Sequence, residues 1–199
     1  MGASRRELTK TQNRETILAA AKGVFAQMGF ASATVRDIIR ATPLASGTFY
    51  NYFKSKEEVY QALRDGTALA IRPRLREVRL AANTAEEFLS AGFRVFFEFV
   101  LSQHDGAQRG ETAPAMQESR FRMDSPQVLA GFAELREDLD GAVARGLLPS
   151  LNTGLLAGAI TGMAFELAEQ VKSGADVDET ARLATALLLG GIGALAGSA

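Results

Sequence analysis

Apolar residues recur three and four positions apart along most of this chain, with polar residues between them, a spacing that predicts amphipathic helices. Ile17, Leu18, Ala21, Val24, Phe25 and Met28 form the first such face, on a helix expected from Thr11 to Gly29. Residues 1–10 are polar and basic and are expected to be mobile. A short helix follows from a Thr34 cap to Arg40, burying Val35, Ile38 and Ile39. Thr42-Pro43 then forces a turn, because proline disfavours helix at the residue before it. A very short helix over roughly 44–51 comes next. Ser55-Lys56-Glu57-Glu58 reads as a capping box that opens a helix with Val59, Leu63 and Ala70 on one face. Pro73 is expected to kink or end that helix.

A second capping box, Thr84-Ala85-Glu86-Glu87, starts a helix carrying Phe88, Phe93, Phe96, Phe97 and Phe99. So many apolar residues predict a helix enclosed all round. Residues 104–124 are mixed, contain Pro114, and predict shorter or irregular pieces. Ser125-Pro126 marks a new start, and that helix should end near Gly146. Asn152 caps a helix running to about Ser173 and closed by Gly174, and Asp176 caps the last one. No segment alternates like a strand. The expected fold is all-α, about nine helices, with no internal repeat.

Composition narrows the function. Of 199 residues 47% are hydrophobic, which argues against disorder. There is no cysteine, hence no disulfide framework and no thiolate metal site. The most apolar run, Leu183 to Ala196, is broken by Thr185 and three glycines. It falls short of the roughly 18 apolar residues of a membrane span. No apolar stretch follows the early basic residues as in a signal peptide, so a cytoplasmic, membrane-free protein is expected. A single His, and the lack of a phosphate-cradling glycine loop, leave no parts for an enzyme, a cofactor or a metal. Glu57-Glu58 and Glu86-Glu87 are adjacent carboxylates that diverge on a helix, and capping explains them.

Charge is uneven. Residues 1–56 hold nine Lys and Arg against three acids, a net of +6, so the rest of the chain carries −7. One basic end on a nearly neutral protein points to nucleic acid at that end and another task elsewhere. The order of helices over residues 34–60 is what a helix-turn-helix reader of double-stranded DNA requires. Thr48, Tyr50, Tyr52 and Lys56 carry donors suited to phosphate oxygens. Gly47 lets the backbone approach a duplex. Ser46 and Asn51 add polar contacts, and Thr34 joins this set. Phe49 and Phe53 are better read as packing. Arg5, Arg6 and Lys10 form either a solvated tail or an arm for a minor groove.

The stretch GTFYNYFKSKEEV, preceded by TVRDII, resembles the TetR family of bacterial transcription regulators over about 50 residues. The resemblance implies a three-helix DNA-binding domain at 1–54 and a larger effector-binding and dimerisation domain at 55–199. It makes Tyr50 the phosphate-contacting tyrosine. It also places Arg36 where a guanidinium can reach a base edge, such as guanine O6 and N7. Two departures stand out. Pro43 replaces the usual turn glycine, and Ala45 the usual Ser-type cap, so the recognition helix should be less well capped, by about 1 kcal/mol.

At the other end, Gly154, Gly158 and Gly162 recur every four residues, a flat stripe that permits close approach of another helix. The last helix is similarly smooth, with Leu183 and Leu187. By the resemblance these two helices form the homodimer seam; the plain alternative is packing within the chain. Phe93, Phe96, Phe97, Phe121 and Met123 are the candidates for an apolar ligand pocket, or else ordinary core. Arg94 with Glu98, His104, Arg120 and Arg122 are candidate partners for an anionic group. The expected function is a homodimeric repressor of a palindromic operator, released by a small apolar or amphipathic effector. An effector-independent or architectural DNA binder is the alternative.

Overall fold

In a computed structural model the chain is described over residues 5–108 and 126–196. Eight α-helices occupy these residues, in the order α1 (Arg5–Ser32), α2 (Val35–Arg40), α3 (Ser46–Tyr50), α4 (Lys56–Ala81), α5 (Ala85–Gln108), α6 (Pro126–Ala144), α7 (Thr153–Lys172) and α8 (Val177–Ala196). Among the described residues there is no strand, and no helix is long and apolar enough to cross a membrane. The contacts divide the chain into two compact units. One comprises the chain up to Thr67 with the end of α5 from Gln103, and the other runs from Ala68 to Ser102 and resumes with α6.

The first unit is built on a core of Ile17, Ala21, Val24, Phe25, Ala33, Ile38, Phe49, Phe53 and Val59. Four helices contribute to it, so α3, only five residues long, is held by packing rather than by its own propensity. α1 begins earlier than the apolar pattern predicts. Residues 5–10 are helical, so Arg5, Arg6 and Lys10 belong to its first turns and not to a loose arm. Arg, Glu, Leu and Lys are good helix formers, and this stretch continues the helix without an apolar face of its own. Met28, expected on the buried face, is exposed. Gly29 interrupts the helix with φ 75 and ψ 158, a conformation open essentially to glycine alone.

The second unit packs α6 on α7 and α7 on α8. α4 runs through Pro73 without ending there, so of the two effects expected of that proline the helix does not show the ending. Arg72 makes two hydrogen bonds to the Glu134 carboxylate and one to Gln127, Arg76 faces Glu137 and Asp138, and Arg79 bonds Asp138. These ties fasten α4 to α6 on both sides of the proline. Arg145 adds hydrogen bonds to the carbonyls of Arg79, Leu80 and Ala82, where α4 ends. The Arg79–Asp138 pair is buried. Desolvation pushes the Asp138 carboxyl up and the Arg79 guanidinium down, so each depends on the other for its charge. Around Glu134, the hydrogen bond from Arg72 prevails and holds the carboxyl below its ordinary range.

α5 is amphipathic rather than enclosed. Phe88, Leu89, Phe93, Phe97 and Val100 are buried, while Arg94 and Glu98 are exposed. α5 continues to Gln108, so the first residues of the expected irregular stretch are helical.

Candidate nucleic-acid interface

The interface begins with local capping. The Thr34 side chain accepts from the Asp37 N–H, and the Asp37 carboxylate accepts from the Thr34 N–H and hydroxyl, closing a complete box around the start of α2. These bonds, foremost the one from the Thr34 hydroxyl, hold the Asp37 carboxyl below its ordinary range, and Arg40 and Arg36 add to the effect. The sequence reading named Thr34 as the cap and missed its partner, although Asp three residues on is a legible signal. α3 starts at Ala45 without a side-chain cap, as the departures in the motif predict. The preceding turn is held instead by Thr42, whose hydroxyl donates to the Ile39 carbonyl and accepts from the Leu44 N–H.

α3 is divided sharply. Phe49 is buried and meets Phe53 at 6.1 Å between ring centroids. Ser46, Gly47, Tyr50 and Asn51 are exposed, Tyr50 by 59%, and Thr48 is half-buried. The space where a Gly47 Cβ would stand is open, which leaves the backbone free to approach a surface. Arg36 and Arg40 are exposed on α2, and Lys54 is exposed after α3. Tyr52 departs from expectation: it is half-buried against the apolar core of this unit.

Lys56 departs further. Expected on a phosphate, its ammonium donates to three carbonyls at the end of α1 and just beyond: Phe30 at 2.8 Å, Ala31 at 3.1 Å and Ala33 at 2.9 Å. It also stands 4.6 Å from the centroid of the Phe30 ring. The three N–H groups of the ammonium are thereby all engaged. The capping box behind it forms, since Ser55 Oγ accepts from the Glu58 N–H, but the Glu58 carboxylate reaches one residue further back, to the Lys54 N–H.

The other candidate residues lie in the second unit. Phe93 and Phe97 are buried and stack at 5.8 Å, and Phe96 is half-buried, edge-on to Phe165 at 5.3 Å. Phe121 and Met123 lie outside the described residues, as do Arg120 and Arg122. Arg94 pairs with Asp178 at 2.7 Å on the surface instead of facing an apolar interior. His104 is half-buried. Gly158 and Gly162 are exposed, and among the described residues nothing beyond the adjoining backbone of their own helix lies within 4 Å of where a Cβ would stand. At Gly154 that position meets only the Asn152 side chain, at 3.3 Å. Leu183 and Leu187 are 52% and 58% exposed, and Leu155 and Leu195 are exposed as well. At Gly158 and Gly162 the stripe is therefore not packed against any other described helix. Among the described residues no cluster of His, Cys, Asp or Glu is arranged to hold a metal.

Comparison with known proteins agrees with this geometry. Residues 17–63 match the family model for bacterial regulatory proteins of the tetR family. The chain is 32% identical over 108 residues to the HTH-type transcriptional repressor KstR2 of Mycobacterium tuberculosis, a match covering 51% of this chain and 54% of that protein, or about half the length of each. Among solved structures, the fatty acid degradation regulator FadR from Bacillus halodurans is similar with a TM-score of 0.69 and 26% identity, covering 90% of this chain and 96% of the other. The regulator FadR from Bacillus subtilis, solved in complex with stearoyl-CoA, has the same fold, with a TM-score of 0.70 at 23% identity over 89% of this chain and 98% of the other. With its core, its capped α2 and its exposed α3 all inside the matched segment, residues 17–63 form a helix-turn-helix domain of the kind that defines the tetR family of bacterial regulatory proteins.

Proposed function

We propose that this chain is a homodimeric transcriptional repressor that binds a palindromic DNA operator and is released by a small apolar or amphipathic effector. Residues 1–54 would read the DNA, and residues 55–199 would hold the effector and the dimer seam. The observation that carries the DNA reading is the division of α3, with Phe49 in the core and Ser46, Gly47, Tyr50 and Asn51 outside, beside the exposed Arg36 and Arg40 of α2. A helix so held presents donors to phosphates, and α2 supplies a guanidinium for a base edge.

The dimer reading is supported by the exposed surface of Gly158, Gly162, Leu183 and Leu187, where a second copy can approach closely. Gly158→Leu should then give monomer in sedimentation, and a persistent dimer would place the seam elsewhere. The effector reading is supported by the aromatic face of α5 and by the stearoyl-CoA held by the Bacillus subtilis relative, which suggests acyl thioesters as first candidates. The test is selection of bound fragments from random DNA, followed by titration of acyl-CoAs with and without the selected operator. An effector must lose affinity in the presence of operator by the same factor by which it weakens DNA binding. Ligand binding that ignores the operator would leave the effector-independent DNA binder as the better reading. Absence of any selected sequence would remove the DNA reading itself.

A further inference from the structure

Lys56 sits where a helix least favours a cation, at the first residue of α4, whose N-terminus carries a partial positive charge. Its ammonium is turned away to the opposite kind of pole. The last carbonyls of a helix lack intrahelical partners and carry partial negative charge, and the Phe30 and Ala31 carbonyls at the end of α1 are of this kind. Gly29 has already broken the helix one residue earlier, so this short segment has little regular structure of its own to fix it. Tyr60, one turn along α4 on the same face, closes the other side: its ring lies 4.7 Å from that of Phe30 and 5.9 Å from that of Phe25. The third carbonyl belongs to Ala33, immediately before Thr34, the cap of α2. One ammonium thus ties the start of α4 to the residue at which the DNA-reading helices begin.

We infer that Lys56 is a positioning residue for DNA recognition, acting through the Phe30, Ala31 and Ala33 carbonyls and not through a phosphate. It sets the point from which α2 departs, and so where Arg36 and the α3 donors stand against a duplex. This inference rests on the DNA-binding reading above. It differs from a phosphate contact in two measurable ways. A phosphate contact serves every sequence alike and contributes about 0.9 to the slope of log affinity against log salt. A positioning contact serves the operator more than random DNA, because base contacts need register, and it leaves that slope alone.

The test compares wild type with Lys56→Arg and Lys56→Met on operator and random duplexes across a salt series, at a temperature where each variant is folded by circular dichroism. Arginine keeps the charge but presents a planar fork that does not fit three converging carbonyls. Lys56→Arg should lower operator affinity about tenfold, as expected for losing charge-assisted bonds, with random-DNA affinity and salt slope unchanged. Lys56→Met should do the same and also lower the melting temperature. Wild-type behaviour of Lys56→Arg, with a slope reduced by about 0.9 in Lys56→Met, would make Lys56 a phosphate contact and overturn the inference. A lower melting temperature with unchanged DNA binding in both variants would overturn it in favour of a purely structural role. Failure of the wild type to bind any duplex would instead strike the DNA-binding reading, which the wild-type series alone decides.

Discussion

The two compact units spend their arginines in opposite ways. In the first, Arg36 and Arg40 stand exposed on α2, the helix before the recognition helix. In the second, Arg72, Arg76 and Arg79 are directed at Glu134, Glu137 and Asp138 of α6, and the last pair is buried. One arrangement leaves charge for a partner, and the other consumes it in holding helices together. A net charge read from sequence does not distinguish the two. What distinguishes them is whether a carboxylate on another helix arrives at the right place.

The largest break in that contrast is expected at Asp138. Asp138→Ala strands the buried Arg79 guanidinium and should cost about 3–5 kcal/mol in urea unfolding, without a direct effect on DNA contacts. The double replacement Arg79→Met with Asp138→Leu should recover much of that loss, because it removes both charges from the interior. A mild effect of Asp138→Ala would mean that water reaches the pair.

Arg36→Ala should behave in the reverse manner. Unfolding should be almost unchanged, while discrimination at one base pair per half-site falls by about 1–3 kcal/mol. Equal losses on operator and random DNA would demote Arg36 to a backbone contact. Tyr50→Phe removes a single exposed hydroxyl and should weaken binding to all sequences by about 0.5–1.5 kcal/mol, measured by anisotropy on two unrelated duplexes.

The smallest effect concerns pH. The Glu134 carboxyl is held below its ordinary value, so the native state binds its proton less readily than the unfolded chain. Its contribution to stability is complete above the ordinary glutamate value of 4.5 and is lost as pH falls through the lower native value. Glu134→Gln should therefore flatten the acid side of the stability profile, by less than about 1 kcal/mol for so accessible a pair. An unchanged acid limb would show that Arg72 does not hold the proton off.

Legibility from sequence followed the range of each interaction. The caps at Thr34, Ser55, Thr84, Asn152 and Asp176 rest on neighbours three or four residues away, and all five form. The burial of Phe49 and Phe53 followed from their spacing. Arg72 and Glu134 are 62 residues apart, and nothing in either local pattern announces the other. That pairing stands next to Pro73, through which α4 continues without ending. The contacts of Lys56 are likewise not local: its residue type fits a phosphate, and the turn of the chain at Gly29 brings three carbonyls to it.

The exposed glycines carry a further consequence, one of mass action. Among the described residues, Gly158 and Gly162 on α7, and Gly190, Gly191 and Gly193 on α8, have nothing beyond the adjoining backbone of their own helix within 4 Å of a would-be Cβ. Each costs a helix about 1 kcal/mol relative to alanine. A single chain bears that cost with no contact in return, out of a folding stability of typically about 5–15 kcal/mol. If a second copy supplies the missing contact, folding and association become one equilibrium, and the melting temperature must climb with protein concentration. A chain that melts at the same temperature over a hundredfold dilution, about as wide a range as the linkage needs to register, would be carrying its glycines for some other reason.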